Sequence, residues 1–593
     1  MKKKSSFFIS ILAIVFLVLS ACGSNPQTNK TKVDTSKLPD TYENKDEVTK
    51  GGTLKVALAT DAPFQGLFTY ELYEDGFDFE ILNYTSNSLY GTKEDFLIDG
   101  DGIAKLAVDE KANTATITIP KDIKWSDDKP FTADDIIYPY YIIADKDYTG
   151  VRYDTDFQNI VGVKDYHDGK AKDISGIKKV DDYTVEIAFN KISPAIYSGG
   201  DGLWGYAAPK HQLKKIKVAD LEKADAVRKN PVTLGAFVIN KLVKGESVEL
   251  VANKNYWKGQ PKLDKVVIET VPSASIAAAL KAGKYDVVAP NYPANDYDSI
   301  KDFKNITILG RQELAYSYLG FKEGKLDKKT TTVITDPNAK MSDPKLRQAV
   351  AYAMNIEDVA DKYYDGLRTR ANSLIPPVFK TYYDDGLKGY KFDKKKAESL
   401  LDEAGYKDTD KDGIREGKDG KPFVIKLASM AGSDKDEKIV QFYIQNWKEV
   451  GLKVELTTGR LIEFNAFYDK VGADDKEIDM FMGAWGTGTN PSPMGLYSKN
   501  AEFNYSRYTT DEQENLLKEI DSVEALDPKF RGKAFKSWQE YMYEQATTIP
   551  MYFRTELIPV NNRVKNWDIN WTSKDMTMDN LQDVELTAKD PIK

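Results

Sequence analysis

The stretch IPKDIKWSDDKPFTADDI, residues 119–136, is the part of the sequence from which the fold follows. It continues Thr114–Ile119 (TATITI), where strict alternation of threonine with apolar residues predicts a half-buried strand. Alternating segments on both sides of it along the chain predict further strands. They are 53–58 (TLKVAL), 183–189 (YTVEIAF), 247–251 (SVELV), 265–271 (KVVIETV) and 452–456 (LKVEL).

Helical periodicity is interspersed with these strands. Leu346, Val350 and Met354 are spaced four apart, so residues 344–354 predict a helix with one apolar face. Residues 394–404 stop at Gly405, a residue typical of helix C-termini. Further helices are predicted at 275–282, 438–450 and 512–525. The mixture predicts an α/β protein, and 593 residues are enough for two to four domains.

Composition excludes several classes of function. The net charge is −9, which argues against a nucleic-acid binder, since such a protein normally presents a basic face. The chain has one cysteine, Cys22, and two histidines, His167 and His211. A disulfide within the chain, zinc fingers and iron–sulfur clusters are therefore excluded. A Ser-His-Asp triad would need one of these two histidines.

The N-terminus has the pattern of an export signal. Lys2–Lys4 precede an apolar run, Phe7–Leu19, which is too short to span a membrane but suits a signal peptide. Small residues before Cys22 resemble a bacterial lipobox; the alternative is an ordinary secretory signal with a chance cysteine. That resemblance implies cleavage of residues 1–21, lipidation of Cys22, and anchoring at the extracytoplasmic face of the cell membrane, at a Gram-positive cell surface.

Residues 22–50 predict a flexible tether. They are polar, poor in aliphatic residues and contain prolines, so they offer little apolar surface to offset the entropy of ordering. A loose strand on the body is the alternative. A tether would let a lipid-anchored body reach from the membrane and dock back on it.

Seven blocks, in order along residues 51–570, resemble the extracytoplasmic oligopeptide- and dipeptide-binding proteins of bacterial ABC importers. They are GGTLKV (51–56), the 119–136 stretch, NPVTLGAF (230–237), the hairpin and turn at 245–264, AALKAGKYD (278–286), LRQAVAYAMN (346–355) and IPMY (549–552). In the 119–136 block the family has a strand, a W-x-D-G-like turn and a helix opened by T-A-x-D. Asp128 replaces the turn glycine here, and Asp also adopts left-handed backbone geometry.

The resemblance implies a two-lobed, three-domain fold of the periplasmic-binding-protein type (class II, cluster C), with a hinge between the lobes. Domain I is expected at 51–92, 228–312 and 556–593, domain II at 93–227, and domain III at 313–555. Domains I and II would form lobe one, and domain III lobe two.

The same resemblance implies a peptide held in the interlobe cleft as an added β-strand. It places a bordering strand at residues 479–485 and a glycine-rich turn at 486–491. The ligand-binding residues expected there are Gly483, Ala484, Trp485, Gly486, Thr487, Gly488 and Asn490. The alternative is a buried core strand that ends in a turn.

Position 488 departs from the family pattern. Many members carry an aspartate there that pairs with the peptide's α-ammonium group, and this chain has Gly488. Asp61 and Asp479 are the alternative counter-charges, and Thr487, Thr489 and Asn490 offer neutral acceptors. Without a dedicated acid, we expect weak selection of the peptide N-terminus, and so longer or hydrophobic peptides.

Two phenylalanines and one acidic loop complete the candidate sites. Phe64 and Phe68 follow the first strand and are expected to line an apolar pocket in the cleft, with ordinary core as the alternative. Residues 408–419 read D-x-D-x-D-G-x-x-E-x-x-D, as in calcium loops, but a strand follows instead of a helix. The calcium ligands would be Asp408, Asp410, Asp412, Glu416 and Asp419; a polar turn is the alternative.

The expected function is a substrate-binding lipoprotein, not an enzyme, of an ABC peptide importer. The ATPase would be a separate chain, because this one has no G-x-x-x-x-G-K-[ST] motif. The binding protein would act as a monomer and deliver the peptide to a membrane permease. It would bind no nucleic acid and need no cofactor apart from the calcium considered above. A receptor for a signalling peptide is the first alternative, and a secreted carboxylate-dependent hydrolase is the second.

Overall fold

The structure is a computed structural model that describes residues 34–593 except 155, 290–291, 433–434, 572 and 575. The predicted signal peptide and the lipidated Cys22 lie outside the described residues. In the described part, no helix is both long enough and apolar enough to cross a membrane.

The described chain is mixed α/β, as predicted. In chain order, the strands are β1 Thr41–Tyr42, β2 Thr53–Ala59, β3 Lys105–Asp109, β4 Thr114–Thr118, β5 Ile177–Asp181, β6 Thr184–Ala188, β7 Phe237–Val243, β8 Ser247–Ala252, β9 Lys265–Val271, β10 Val287–Ala289, β11 Ile306–Phe321, β12 Gly324–Asp327, β13 Thr332–Thr335, β14 Arg368–Arg370, β15 Val424–Ala428, β16 Lys453–Leu456, β17 Met480–Gly486, β18 Thr548–Asn561, β19 Val564–Lys565, β20 Trp567–Asp568 and β21 Glu585–Leu586.

The α-helices are α1 Gly76–Thr85, α2 Ala133–Ile143, α3 Val163–His167, α4 Lys210–Leu213, α5 Val218–Leu221, α6 Asp225–Arg228, α7 Ile276–Lys281, α8 Pro344–Tyr352, α9 Ile356–Tyr364, α10 Lys394–Ala404, α11 Asp436–Lys448, α12 Phe464–Gly472, α13 Met494–Tyr497, α14 Asp511–Ile520 and α15 Pro528–Gln545. Short 3₁₀ turns occur at Thr35–Lys37, Glu94–Phe96, Phe157–Asn159, Pro194–Ser198, Ser273–Ser275, Ala294–Ser299, Glu524–Leu526 and Leu581–Asp583.

Two sheets organise the body. A four-stranded antiparallel sheet, ordered β3-β4-β6-β5, lies within residues 93–227. A large mixed sheet runs β16-β15-β17-β11-β18-β10-β2-β9-β8-β7, with β14 also paired to β18. The β2–β9 half carries an apolar core built from residues 54–84, 236–309 and 558–586. The β15–β17 half carries two cores built from residues 316–553 together with Phe96.

The 119–136 stretch folds as strand, turn and helix. Trp125 is buried in the apolar core beside the four-stranded sheet, and its indole N–H donates to the Asp135 carboxylate at 3.1 Å. Thr132 and Asp135 form a reciprocal capping box at the start of α2. Asp128 has φ 69°, which confirms the left-handed geometry expected for the residue that replaces glycine.

Two long strands join the two halves of the large sheet. β11 and β18 pair along most of their length, and their register shifts between Gln312 and Tyr316. The predicted boundaries at 312/313 and 555/556 fall inside these strands, so continuous β-structure links the regions on either side. The positions of the three domain boundaries stay a prediction.

The predicted tether is wrong for its described C-terminal part. β1 pairs with β20, and Leu38 packs against Gly310, whose N–H donates to the Pro39 carbonyl at 2.9 Å. The Asn44 side chain is buried and donates to the Asn562 carbonyl at 2.6 Å. The attachment of this segment could not be predicted from its polar composition, because the attachment depends on main-chain hydrogen bonds and few apolar side chains.

A buried ion pair ties the C-terminal segment to the large sheet. Arg563 and Asp286 are fully buried, and the guanidinium donates twice to the carboxylate, at 2.6 and 2.7 Å. Arg563 also donates to the Thr53 carbonyl in β2, and Asp286 accepts from the Lys55 N–H. Removing one partner would leave the other charge buried without compensation.

Candidate functional site

β17 is the strand predicted to border the ligand. It pairs antiparallel with β11, with Trp485 opposite Tyr316 and Gly483 opposite Tyr318. The Thr487 N–H donates to the Leu314 carbonyl at 2.8 Å. Because hydrogen-bonded pairs alternate in an antiparallel ladder, residues 483, 485 and 487 direct their backbone groups at β11.

The other edge of β17 is open over most of its length. β15 pairs only with Met480 and Phe481, and among the described residues no strand pairs with that edge beyond Phe481. The backbone groups of Ala484 and Gly486 point to this edge by the same alternation. The Ala484 carbonyl confirms the direction, since it accepts from the Tyr468 hydroxyl at 3.3 Å, away from β11. An added strand would find here the Ala484 N–H and the Gly486 backbone groups, with which no strand of the described residues pairs.

A cavity of about 230 Å³ lies beside the end of β17. It holds three of the predicted ligand residues: Gly486, Thr487 and Asn490. Its other walls are Tyr316, Leu374, Ile375, Pro376, Phe379, Pro491, Ser492, Pro493, Gly495, Leu496, Tyr497 and Phe503. Mostly apolar walls with a few polar groups are typical of small-ligand sites.

The 374–379 wall could not be predicted from the sequence. Its segment Leu374-Ile375-Pro376-Pro377-Val378-Phe379 is apolar and contains two prolines, a pattern of a rigid apolar loop, but no spacing rule connects it with β17. Long-range packing alone brings the two together.

Trp485 forms part of an aromatic surface that joins the cavity at Phe503. Its ring stacks on Tyr505, with centroids 5.3 Å apart, and meets the edge of Phe503 at 5.6 Å. Phe503 is 50% exposed, and Phe464 on α12 is 58% exposed. Gly483 is packed tightly, because an added Cβ would lie 2.9 Å from the Tyr318 hydroxyl oxygen.

Gly488 leaves the turn open. It has φ 60°, and a Cβ added there would meet nothing within 4 Å. The absence of a carboxylate at this position therefore leaves space rather than a substitute side chain.

The two acids considered as replacements face elsewhere. The Asp479 carboxylate accepts from the Lys340 ammonium at 2.6 Å and from the Lys426 N–H at 2.7 Å. Asp61 is exposed and accepts from the Ser273 N–H at 3.2 Å. Neither side chain lines the cavity. Asp479 and Asp61 are therefore wrong as counter-charges for a ligand held there.

The Phe64 and Phe68 prediction is also wrong for this cavity. Both rings are buried in the domain I core, 6.2 Å apart. The loop between them is fixed by Asp78, whose carboxylate accepts from the N–H groups of Gly66 and Leu67 at 2.8 and 2.9 Å. Burial raises the pKa of Asp78 to about 6, although these two hydrogen bonds oppose the shift. The internal hydrogen bonds turn the loop inward, so the rings join the core.

The acidic loop brings together part of its predicted calcium set. Asp408, Asp410 and Glu416 each place an oxygen within 4.8 Å of the others. Asp412 and Asp419 are not part of this group. All five carboxylates accept hydrogen bonds from nearby backbone N–H groups, those of Asp412 and Asp419 at 2.7 and 3.2 Å. Three of the five carboxylates thus converge, and calcium binding stays a prediction.

Both histidines lie outside the cavity. His167 stacks on Tyr153 at 3.9 Å, and His211 pairs with Asp127 at 2.9 Å. Neither lies on the walls around β17, so neither could serve a nucleophile there.

Comparison with known proteins agrees with this geometry. Residues 101–507 match the bacterial extracellular solute-binding proteins, family 5 (middle), and the chain belongs to that family. It is 36% identical over 588 residues to the oligopeptide-binding protein OppA of Lactococcus lactis subsp. cremoris, covering 97% of each chain.

Solved structures give the same result. Lactococcal OppA, complexed with an endogenous peptide in the closed conformation, superposes with a TM-score of 0.80 at 34% identity, over 90% of this chain and all of that one. AppA from Bacillus subtilis, in complex with a nonapeptide, superposes with a TM-score of 0.70 at 24% identity, over 91% of this chain and all of that one. The predicted two-lobed fold is confirmed.

Proposed function

We propose that this chain is the substrate-binding protein of an ABC importer, and that it captures oligopeptides between its two lobes. The observation that carries the proposal is the open edge of β17: among the described residues no strand pairs with Ala484 and Gly486 on this side, and Gly486 lines a cavity. The peptide bound to lactococcal OppA, a relative over nearly the whole chain, supports it.

The peptide would bind as an added strand along residues 482–486. Main-chain hydrogen bonds are the same for every sequence, so such an edge binds peptides with little dependence on their side chains. Alternate side chains of the ligand would enter the 230 Å³ cavity or lie on the aromatic surface around Trp485. These surroundings favour apolar side chains.

The ligand's amino group would stay in contact with water. Burying an unpaired ammonium group costs several kcal/mol. The turn at Gly488 offers no carboxylate, and Asp479 is already paired with Lys340. We therefore expect the ligands to be longer than dipeptides, with termini that make no ion pair in the site.

The rest of the assembly follows from the sequence. A lipid on Cys22 would hold the protein on the extracytoplasmic face of the membrane, at a Gram-positive cell surface. A separate permease and ATPase would accept the peptide from a monomeric binding protein. Among the described residues, the acids that converge as a metal site would are Asp408, Asp410 and Glu416 of the 408–419 loop, and calcium is the ion that such a loop would take.

Mass spectrometry of peptides that co-purify with the protein tests the proposal. We expect stoichiometric peptides of more than three residues, enriched in apolar side chains, and fewer of them on an Ala484→Pro variant purified in parallel. A protein that carries no peptide, or that cleaves a peptide library, would contradict the proposal. A single dominant sequence in place of a mixture would favour the receptor for a signalling peptide.

A further inference from the structure

A loop of lobe one, residues 91–102, reaches across to lobe two. Its neck is narrow, since a Cβ on Gly102 would lie 2.4 Å from the Gly91 nitrogen. At its tip Asp95 and Phe96 both have positive φ, 55° and 58°. Left-handed geometry is costly for such residues, above all for a bulky one, and persists where surrounding structure enforces it, often at functional positions.

Phe96 explains what enforces this geometry. Its side chain is 3% exposed, and it belongs to a buried apolar cluster whose other members all come from residues 316–553 of lobe two. Its ring meets Phe379 of lobe two at 5.6 Å and Trp571, in the 556–593 segment of lobe one, at 5.9 Å, both edge to face. Phe379 is also a wall of the cavity beside β17, so Phe96 sits directly behind the proposed peptide site.

A second, polar contact joins the lobes near the turn that follows β17. The Lys191 ammonium of lobe one donates to the Asp521 carbonyl of lobe two at 2.5 Å. The Asp521 carboxylate accepts from the Ser492 hydroxyl at 2.5 Å. A Cβ on Gly200 of lobe one would lie 3.1 Å from the Asn490 amide nitrogen, so the ligand turn touches the opposite lobe.

From this arrangement we propose that Phe96 is a latch: by entering the lobe-two cluster behind the peptide site, it holds the lobes closed and retains the bound peptide. The proposal rests on the proposed function. Opening the lobes would expose the Phe96 ring to water and remove the support of its left-handed turn. The fraction of closed protein, and with it the apparent affinity, therefore depends on this side chain.

The turn at 486–491 contacts lobe one, so peptide binding at β17 can affect whether the lobes are closed. A peptide seated along β17 would fix residues 486–491, and the same segment carries Asn490 against Gly200 and leads into Ser492. Peptide binding and lobe closure would then favour each other, since each orders the turn that the other needs.

The test compares Phe96→Ala with Phe530→Ala, which removes a phenylalanine on α15 that is 38% exposed and is not part of the buried cluster around Phe96. The probe is a fluorescein-labelled pool of randomised nonapeptides, chased with the unlabelled pool. We expect Phe96→Ala to release peptide at least tenfold faster, with association changed less than threefold. Phe530→Ala should stay within twofold of the wild type. Phe96→Leu should release peptide nearly as slowly as the wild type, because leucine keeps an apolar side chain in the buried cluster.

Small-angle X-ray scattering gives a readout that needs no peptide. We expect a larger radius of gyration for Phe96→Ala than for the wild type. Lys191→Ala, a surface change that cannot disturb the core, should speed release two- to fivefold. Folded Phe96→Ala with unchanged release and unchanged scattering would overturn the latch. If the wild type retained no peptide, the proposed function would fail, and the scattering comparison alone would decide on the latch.

Discussion

Ala484→Pro tests strand addition at a position where the ladder to β11 should survive. The Ala484 N–H points to the open edge of β17, while the neighbouring residues Gly483 and Trp485 carry the bonds to β11. Proline removes one N–H and is tolerated in strands where that N–H faces away from a partner. The change therefore removes a donor meant for the ligand and spares those that hold the sheet.

The magnitude follows from the lost hydrogen bonds. One backbone hydrogen bond contributes about 0.5–1.5 kcal/mol net. The proline ring would also push the peptide away from Gly486, so about two bonds, or roughly 1–3 kcal/mol, should be lost. That corresponds to an affinity about 5- to 150-fold weaker.

The assay is calorimetric titration with a peptide identified by co-purification, alongside thermal unfolding. Ala484→Ser is the matched control, because it changes the side chain and keeps the N–H; we expect its affinity within threefold of the wild type. Ala484→Pro that unfolds like the wild type and binds peptide equally well would refute strand addition at this edge.

Four further predictions concern other parts of the chain. N-acetylation of a binding peptide should change affinity less than about threefold, because Gly488 offers no acid; in titrations, a loss of orders of magnitude would show that an acid does grip the amino group. The pKa of Asp78 is raised to about 6, so its folded form holds the proton more tightly than the unfolded chain, and stability should fall by about 1.4 kcal/mol per pH unit as pH rises from about 4 to 6. Urea unfolding at pH 5 and 7 should show a smaller fall in Asp78→Asn, and equal falls would contradict this assignment. Arg563→Met should lower the free energy of unfolding by about 3–5 kcal/mol in urea, since it leaves Asp286 buried and unpaired; a change below 1 kcal/mol would show that the carboxylate finds another partner. Millimolar calcium should move the melting temperature by less than 1 °C, because all five carboxylates of the 408–419 loop already accept hydrogen bonds from backbone N–H groups, and a rise of several degrees would establish a calcium site.

Local patterns were predictable from the sequence. α10 spans Lys394–Ala404 and ends at Gly405, whose φ of 90° is the geometry that the glycine indicated. The left-handed turn at Asp128 follows from local turn chemistry in the same way. These features depend on neighbouring residues, so a single sequence is enough to recognise them.

Features made by distant residues were not predictable. Phe64 and Phe68 looked like pocket residues, but Asp78 turns their loop inward. Residues 38–50 looked like a tether, but backbone pairing with the C-terminal segment holds them. Phe96 stands in a polar stretch, and its role depends on a cluster more than 200 residues further along the chain. Such contacts carry no signal in local composition or spacing.

The most direct test of the central claim is a crystal structure of the protein with the peptides it carries from the cell. We predict an extended peptide main chain along residues 482–486, with hydrogen bonds to the Ala484 N–H and to Gly486, and with Phe96 in its lobe-two seat. A peptide bound elsewhere, or held only through its side chains and termini while this edge of β17 stays unpaired, would contradict the account.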